Sequence, residues 1–209
     1  MRITILMILL ISICSCAKSS KEYNELKEQI ELGLDRDQEI REKFMEKYQK
    51  TGNIDLELNQ RMGQIDSINQ IYAFRFLEKY GYPIYSEDGK KICKGIFYIL
   101  QHSDQKHMKK YVGELKEAAF KGEASLTHYA LMKDRILKND GKKQVYGSQI
   151  SSYKDENGHV TNNFFVWPIK DPTKVDSLRK VMGFKTTIAE YSKQMNAAYS
   201  ADETLPTHN

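Results

Sequence analysis

The chain has 209 residues, of which 40% are hydrophobic and 29% charged, and this ordinary globular balance excludes a wholly disordered protein. Four prolines and twelve glycines exclude collagen and long flexible linkers. With 32 basic residues against 28 acidic ones spread along the chain, the formal charge of +4 does not mark a nucleic-acid binder, and no nucleic-acid partner is expected.

The chain starts with Met1 and Arg2, then runs apolar from Ile3 to Ile13 except at Thr4 and Ser12. A membrane-spanning helix needs about 20 apolar residues, so this run is too short to span and has the length of a secretory leader. Ile13-Cys14-Ser15-Cys16 follows and resembles the cleavage box of bacterial lipoproteins, in which a small residue precedes the lipidated cysteine. Cys16 fits better than Cys14, because Ser15 is small and Ile13 is bulky. The resemblance implies a signal peptide over residues 1–15 and acylation, palmitate included, at Cys16. It also implies an exported protein on a bacterial cell-envelope membrane. The other reading is a plain signal peptide with incidental cysteines. Each buried lipid CH₂ contributes about 0.8 kcal/mol, so two or three acyl chains anchor firmly. Residues 16–21 form a short tether in this scheme. After cleavage only Cys93 remains as a free thiol, so no intramolecular disulfide is expected.

Residues 22–199 read as one mainly α domain. A polar helix over 22–32 ends or bends at Gly33, and Asp35-x-x-Gln38 reads as the capping box of the next helix. Leu34, Gln38, Arg41, Met45 and Tyr48 then recur in three- and four-residue steps, one face of a helix. Thr51-Gly52-Asn53 breaks it, and Leu58, Met62, Ile65, Asn69, Tyr72 and Phe76 mark a long helix to about Lys79, stopped by Gly81 and Pro83. The segment from Lys91 to about His102 is apolar nearly all round, as central helices are. Two more helices cover 104–121 and 123–139. Gln144–Tyr153 and Val160–Ile169 read as strands of a hairpin turning at Asn157-Gly158. Asp171-Pro172 reads as the start of a helix to Gly183, and Thr187-x-x-Glu190 as a capping box opening a last helix to about Tyr199. Residues 200–209 read as a loose tail. The fold expected is mainly α, with six to eight helices and one β-hairpin before the C-terminal helices.

Several polar residues occupy positions where apolar ones belong. Asn69 sits in its helix's apolar stripe, and a buried amide without partners costs about 1–3 kcal/mol, so something must bond it. Asp66 lies one turn back and is a natural acceptor for Arg41, which lies on the preceding stripe. Such a set is either a structural network that fixes helix register or one wall of a pocket. Gln38 is already explained by its cap. Gln101-His102-Ser103-Asp104 ends the most apolar helix. His102 is the best-placed general acid/base candidate, with Asp104 to orient or charge it; the plain alternative is a histidine satisfied at a helix end. Asp134 falls beside the apolar face of its helix, whereas Arg135 points nearly opposite. Gly141-x-x-Gln144-x-Tyr146-Gly147-Ser148-Gln149 is the densest cluster, and two glutamines and a glycine on a strand suggest close approach to something polar. A bulge at Gly147 would bring Gln149 into phase with Gln144 and Tyr146. The histidines show no zinc-ligand spacing, so no metal and no cofactor are expected. Nucleophile-elbow, phosphate-loop, dinucleotide and metalloprotease motifs are absent. Cys93 is in phase with Ile96, Phe97 and Leu100 and reads as core.

Eight blocks occur in order: Gln38-x-x-Arg41, Asp66-x-x-Asn69, Tyr80-Gly81-Tyr82-Pro83, Gln101-His102-x-Asp104, Asp134-Arg135, the Gly141–Gln149 cluster, Pro168-Ile169-x-Asp171 and Arg179-x-x-x-Gly183. Together, over about residues 35–191, they resemble a bacterial family known only as a domain of unknown function. Ser148 stands where that family commonly has threonine, and Phe184 where it commonly has leucine. The resemblance supports the residue set and implies no reaction.

Arg41, Asp66, Asn69, His102, Asp134, Gln144, Tyr146 and Gln149 are expected to converge on one pocket. Two functions fit. One is a membrane-tethered domain that binds or hydrolyses a cell-envelope small molecule or peptide, with Arg41 and Gln144 holding an anionic or amide-bearing ligand and His102 moving a proton. The other is a non-catalytic interaction module, with an unidentified protein or small-molecule partner, whose polar set is a buried network.

Overall fold

The structure is a computed structural model that describes Lys18 and residues 20–206. Cys16 and the leader lie outside the described residues. As expected, the described residues are mainly helical, with eight helices and a small three-stranded sheet whose hairpin precedes the C-terminal helices. They divide between Ser103 and Asp104 into two compact units.

In the first unit α1 spans Lys21–Thr51 without interruption. Ser20 caps its first turn by accepting from the Tyr23 amide, and Gly52, at φ +69°, ends it. The break expected at Gly33 is therefore wrong, and so is the capping box at Asp35. Asp35 lies on the helix surface, with Lys91 Nζ 2.9 Å from its carboxylate. Gly33 serves a crossing instead. A Cβ there would lie 2.3 Å from Asn69 Oδ1, so only glycine lets the next helix come this close. Buried Tyr23, Leu26, Ile30, Gly33, Asp37 and Ile40 form one continuous stripe on α1.

The second helix, α2 (Leu56–Tyr80), is capped by Asp55, which accepts from Leu58 N at 2.9 Å. It buries Met62, Asn69, Ala73, Phe76 and Leu77. One turn, α3 (Tyr85–Asp88), leads into α4 (Lys90–Gln101), the apolar helix anticipated above, on which Cys93 is core. Gly95 repeats the device of Gly33: a Cβ there would sit 2.8 Å from Ile30 Cγ2, so α4 can press against α1.

In the second unit, α5 (Gln105–Phe120) is capped by Asp104 and α6 (Leu126–Asn139) by Ser125. The strands are shorter than expected: β1 covers Ile150–Lys154 and β2 covers Val160–Val166, paired antiparallel with Ser151 opposite Phe165. Asp155 accepts from Asn157 N and His159 N and so builds the turn, with Gly158 at φ +81°. Of the expected first strand, Gln144 makes only an isolated parallel bridge to Ile169.

The next helix, α7, covers Val175–Val181 and starts later than the Asp171-Pro172 pattern implied. Asp171 spends its carboxylate on a tight local turn, accepting from Thr173 N and Oγ1. The Thr187–Glu190 capping box is present and opens α8, Ile188–Gln194, which stops short of the Tyr199 expected. Beyond it β3 (Ala197–Ala198) pairs parallel with β2, giving the sheet order β1-β2-β3. Val166, Ile169, Val175 and Ile188 form the buried apolar cluster beside this sheet.

Candidate functional site

The Arg41–Asp66 pair anticipated from the sequence is present, with Arg41 Nη2 2.6 Å from Asp66 Oδ1. Arg41 Nε also lies 2.7 Å from the buried Asp37, four residues back on α1. Gln38 caps nothing; its Nε2 donates to Asp37 Oδ2 at 2.8 Å. One guanidinium thus bridges two carboxylates across α1 and α2. Burial pushes the Asp66 carboxyl above its ordinary range, and the adjacent Arg41 works against that rise. Asn69 is buried as expected, but its amide donates at 3.1 Å to the Gly33 carbonyl and not to the charged cluster. A second buried carboxylate in this unit, Asp88, was missed. It accepts from the Tyr23 hydroxyl and from Ile84 N, and burial together with that carboxylate pushes the Tyr23 hydroxyl well above its usual range.

Gln101 and His102 close α4. Gln101 is buried, and the His102 carbonyl accepts from Gln70 Nε2 at 3.3 Å. Asp104 starts the second unit as the cap of α5, accepting from His107 N, and its carboxylate lies 2.9 Å from His107 Nδ1. The Asp104 carboxyl is lowered, first by the His107 amide and then by its ring.

The Gly141–Gln149 cluster is not a bulged strand but a loop wrapped on charge. Asp134 is fully buried, and its Oδ1 accepts from Val145 N at 2.8 Å. Its Oδ2 accepts from Tyr146 N at 3.0 Å, Ser148 N at 3.1 Å and Ser148 Oγ at 3.0 Å. These amides are the ones a strand would have given to a ladder, which is why β1 begins only at Ile150. Gly147 makes the turn at φ +65°, and a Cβ there would meet Ile188 Cδ1 at 2.6 Å. Burial raises the Asp134 carboxyl while its backbone donors hold it down.

The carbonyls of the same loop go to Arg179, which is 1% exposed. Its Nη1 donates to Tyr146 O at 2.9 Å and Gly147 O at 3.2 Å, and its Nε donates to Thr186 O at 2.8 Å. Its guanidinium lies over the rings of Phe184 and Tyr191. A carboxylate takes the amides and a guanidinium the carbonyls of one short loop. Burial lowers the Arg179 guanidinium, and the charge of Asp134 is among those opposing that shift.

Gln144, fully buried, acts as a second hub: Oε1 accepts from Gln149 N at 2.8 Å, and Nε2 donates to Trp167 O at 2.5 Å and Gln149 O at 3.0 Å. Gln149 Nε2 reaches Ser148 Oγ at 3.2 Å. Burial pushes the Tyr146 hydroxyl up to about 12. Arg135, expected to point away from the core, is half-buried, and its charge adds to the burial that lowers the Lys138 ammonium. Of the anticipated polar residues, Gln38, Arg41 and Asp66 meet between α1 and α2 in the first unit, and Asp134, Gln144, Tyr146 and Gln149 meet around one loop in the second. Arg179, named in the sequence only as part of a block, proves central to the latter.

A family model matches residues 24–203. The chain belongs to DUF6624, a family of unknown function. No curated protein and no solved structure was found to match it. In this DUF6624 chain a cavity of about 890 Å³ lies elsewhere, on the hairpin beside residues 203–206. A smaller hollow of about 280 Å³ is lined from α1 and α2 by Glu22, Leu26 and Tyr72 among others. Neither is lined by any of the polar site residues anticipated from the sequence. Among the described residues no group of three histidine, cysteine or carboxylate side chains could hold a metal ion. None of the described helices is long and apolar enough to cross a membrane.

Proposed function

We propose that this protein is a lipoprotein tethered to a cell-envelope membrane through Cys16, and that its domain is a non-catalytic interaction module whose polar residues hold the fold. One observation carries the second half of this reading. The fully buried Asp134 carboxylate is occupied on both oxygens by loop amides and a hydroxyl of its own chain. A carboxylate used this way has no face to offer a substrate. Gln144 and Arg179 follow the same pattern, with their donors on main-chain carbonyls. The hydrolytic alternative needs His102 to move a proton with Asp104 behind it. Asp104 caps a helix and partners His107.

The test replaces His102 by Ala in the mature protein. A structural role predicts a lower melting temperature with partner binding retained in the folded fraction. A catalyst predicts unchanged melting and loss of turnover in a screen of envelope amides and esters. The tether is tested separately. Intact-mass analysis should show acyl mass on Cys16, and Cys16→Ala should leave the protein unprocessed or release it from detergent; absence of acyl mass overturns the lipoprotein reading.

A further inference from the structure

The hairpin cleft uses none of the polar network, and its chemistry is consistent. In the antiparallel register Ile150 pairs with Val166 toward the apolar cluster, so Phe165 and Trp167 face the other side of the sheet. Tyr153 joins them, with ring centroids 4.5 Å from Tyr153 to Phe165 and 6.3 Å from Phe165 to Trp167. All three line the cleft, Tyr153 exposed and Phe165 and Trp167 buried. Consecutive residues from Ser151 to Glu156 line it too, and since neighbours on a strand point to opposite faces, the cleft follows the edge of β1 as well as its face. That edge carries no further strand among the described residues.

The charged groups lining the cleft are three carboxylates, Asp155, Glu156 and Glu203, against one ammonium, Lys154. The amides of His159 and Asn157 hold Asp155 below the usual carboxylate range, so it is negative at neutral pH.

We propose that this cleft binds an extended basic peptide segment, laid along β1 with its cationic side chains on Tyr153 and the acidic rim. Each part of the site has a use in that pose. The strand edge pairs with a peptide backbone, the exposed Tyr153 ring takes a lysine or arginine stem, and the carboxylates take its charge. A neutral sugar would leave the strand edge unused, and a phosphate-bearing ligand would meet the carboxylates. The inference rests on the domain being an interaction module, but it fails separately, because its test reads the cleft and not the His102 variant.

Trp167 is the chain's only tryptophan and lines the cleft, so its emission reports occupancy. The mature protein is titrated at low salt with an alternating lysine–valine heptapeptide. The expected result is a saturable change in Trp167 emission that an alternating glutamate–valine heptapeptide does not produce. The Glu156→Gln/Glu203→Gln double variant should weaken binding about three- to tenfold at unchanged melting temperature. A basic peptide N-methylated at alternate residues should not bind. The proposal is overturned if the basic peptide gives no saturable change, or if the N-methylated peptide binds equally. It is also overturned if Glu28→Gln/Glu46→Gln on α1 weakens binding as much as the cleft variant does. Saturable binding of a chitin tetrasaccharide with no response to the peptide would make this a glycan site instead.

Discussion

The two polar regions bury charge in different ways. Between α1 and α2, Arg41 is balanced by the side chains of Asp37 and Asp66 and keeps about a quarter of its surface in water. Around the 144–149 loop, Asp134 and Arg179 are both sealed, and each is answered mainly by main-chain groups. A side-chain pair can be exchanged for another pair, or loosened by water, without moving the backbone. A charge held by amides dictates the path of the chain itself. The second region should therefore respond to substitution as a fold determinant and the first as an adjustable brace.

The largest expected effect tests that contrast directly. Asp134→Ala leaves three buried amides without their acceptor and should cost about 3–5 kcal/mol in urea unfolding; a loss below about 1 kcal/mol would dissolve the distinction. Gln144→Ala should follow at about 2–3 kcal/mol, since it strands Gln149 N and two carbonyls. Gly33→Ala should cost about 1–3 kcal/mol by overpacking, and much of that loss should return in the Gly33→Ala/Asn69→Ala double variant. Without such coupling, the helix crossing is not set by this contact. Arg41→Met leaves the buried Asp37 and the partly buried Asp66 without their shared cation and should cost about 1–3 kcal/mol, less than Asp134→Ala, and the cost should shrink in high salt, whereas that of Asp134→Ala should not.

The smallest effect is one of pH. Asp104 has a folded pKa below its unfolded value, so its stabilisation is present above the unfolded pKa and lost as pH falls through the folded one. Asp104→Asn should therefore melt with a smaller drop between pH 6 and pH 3 than the unmodified protein. An equal drop would mean the cap contributes nothing.

How much of this was legible depended on whether the interaction was local. The Thr187 box, the Asn157-Gly158 turn and the Cys93 stripe lie within a few residues and were read directly. Asn69 and the Arg41–Asp66 pair were found because each broke a helical pattern. Asp37 was missed for one reason: a helix boundary had been placed at Gly33. Run through that glycine, the steps from Tyr23 to Ile40 alternate between three and four residues and place Asp37 on the buried face. A glycine at a helix crossing and a glycine at a helix end look alike in one sequence, because the deciding contact, Asn69, is 36 residues away. The loop clamp was harder still. Gln144 and Gln149 announced something polar nearby, but the amides they frame are taken by Asp134 and the carbonyls by Arg179, and no spacing rule links those three segments. The bulged strand expected there assumed that neighbouring strands answer backbone groups, and here side chains do.

The pairing of β3 with β2 has a consequence for how the protein is made. Phe164 and Phe165 of β2 are matched by Ala197 and Ala198, so the sheet needs residues that leave the ribosome more than thirty positions after the strand they complete. Until then that side of β2 is an open edge, and open edges invite pairing with other chains. A chain truncated before Ala197 should thus aggregate more readily than the full-length protein.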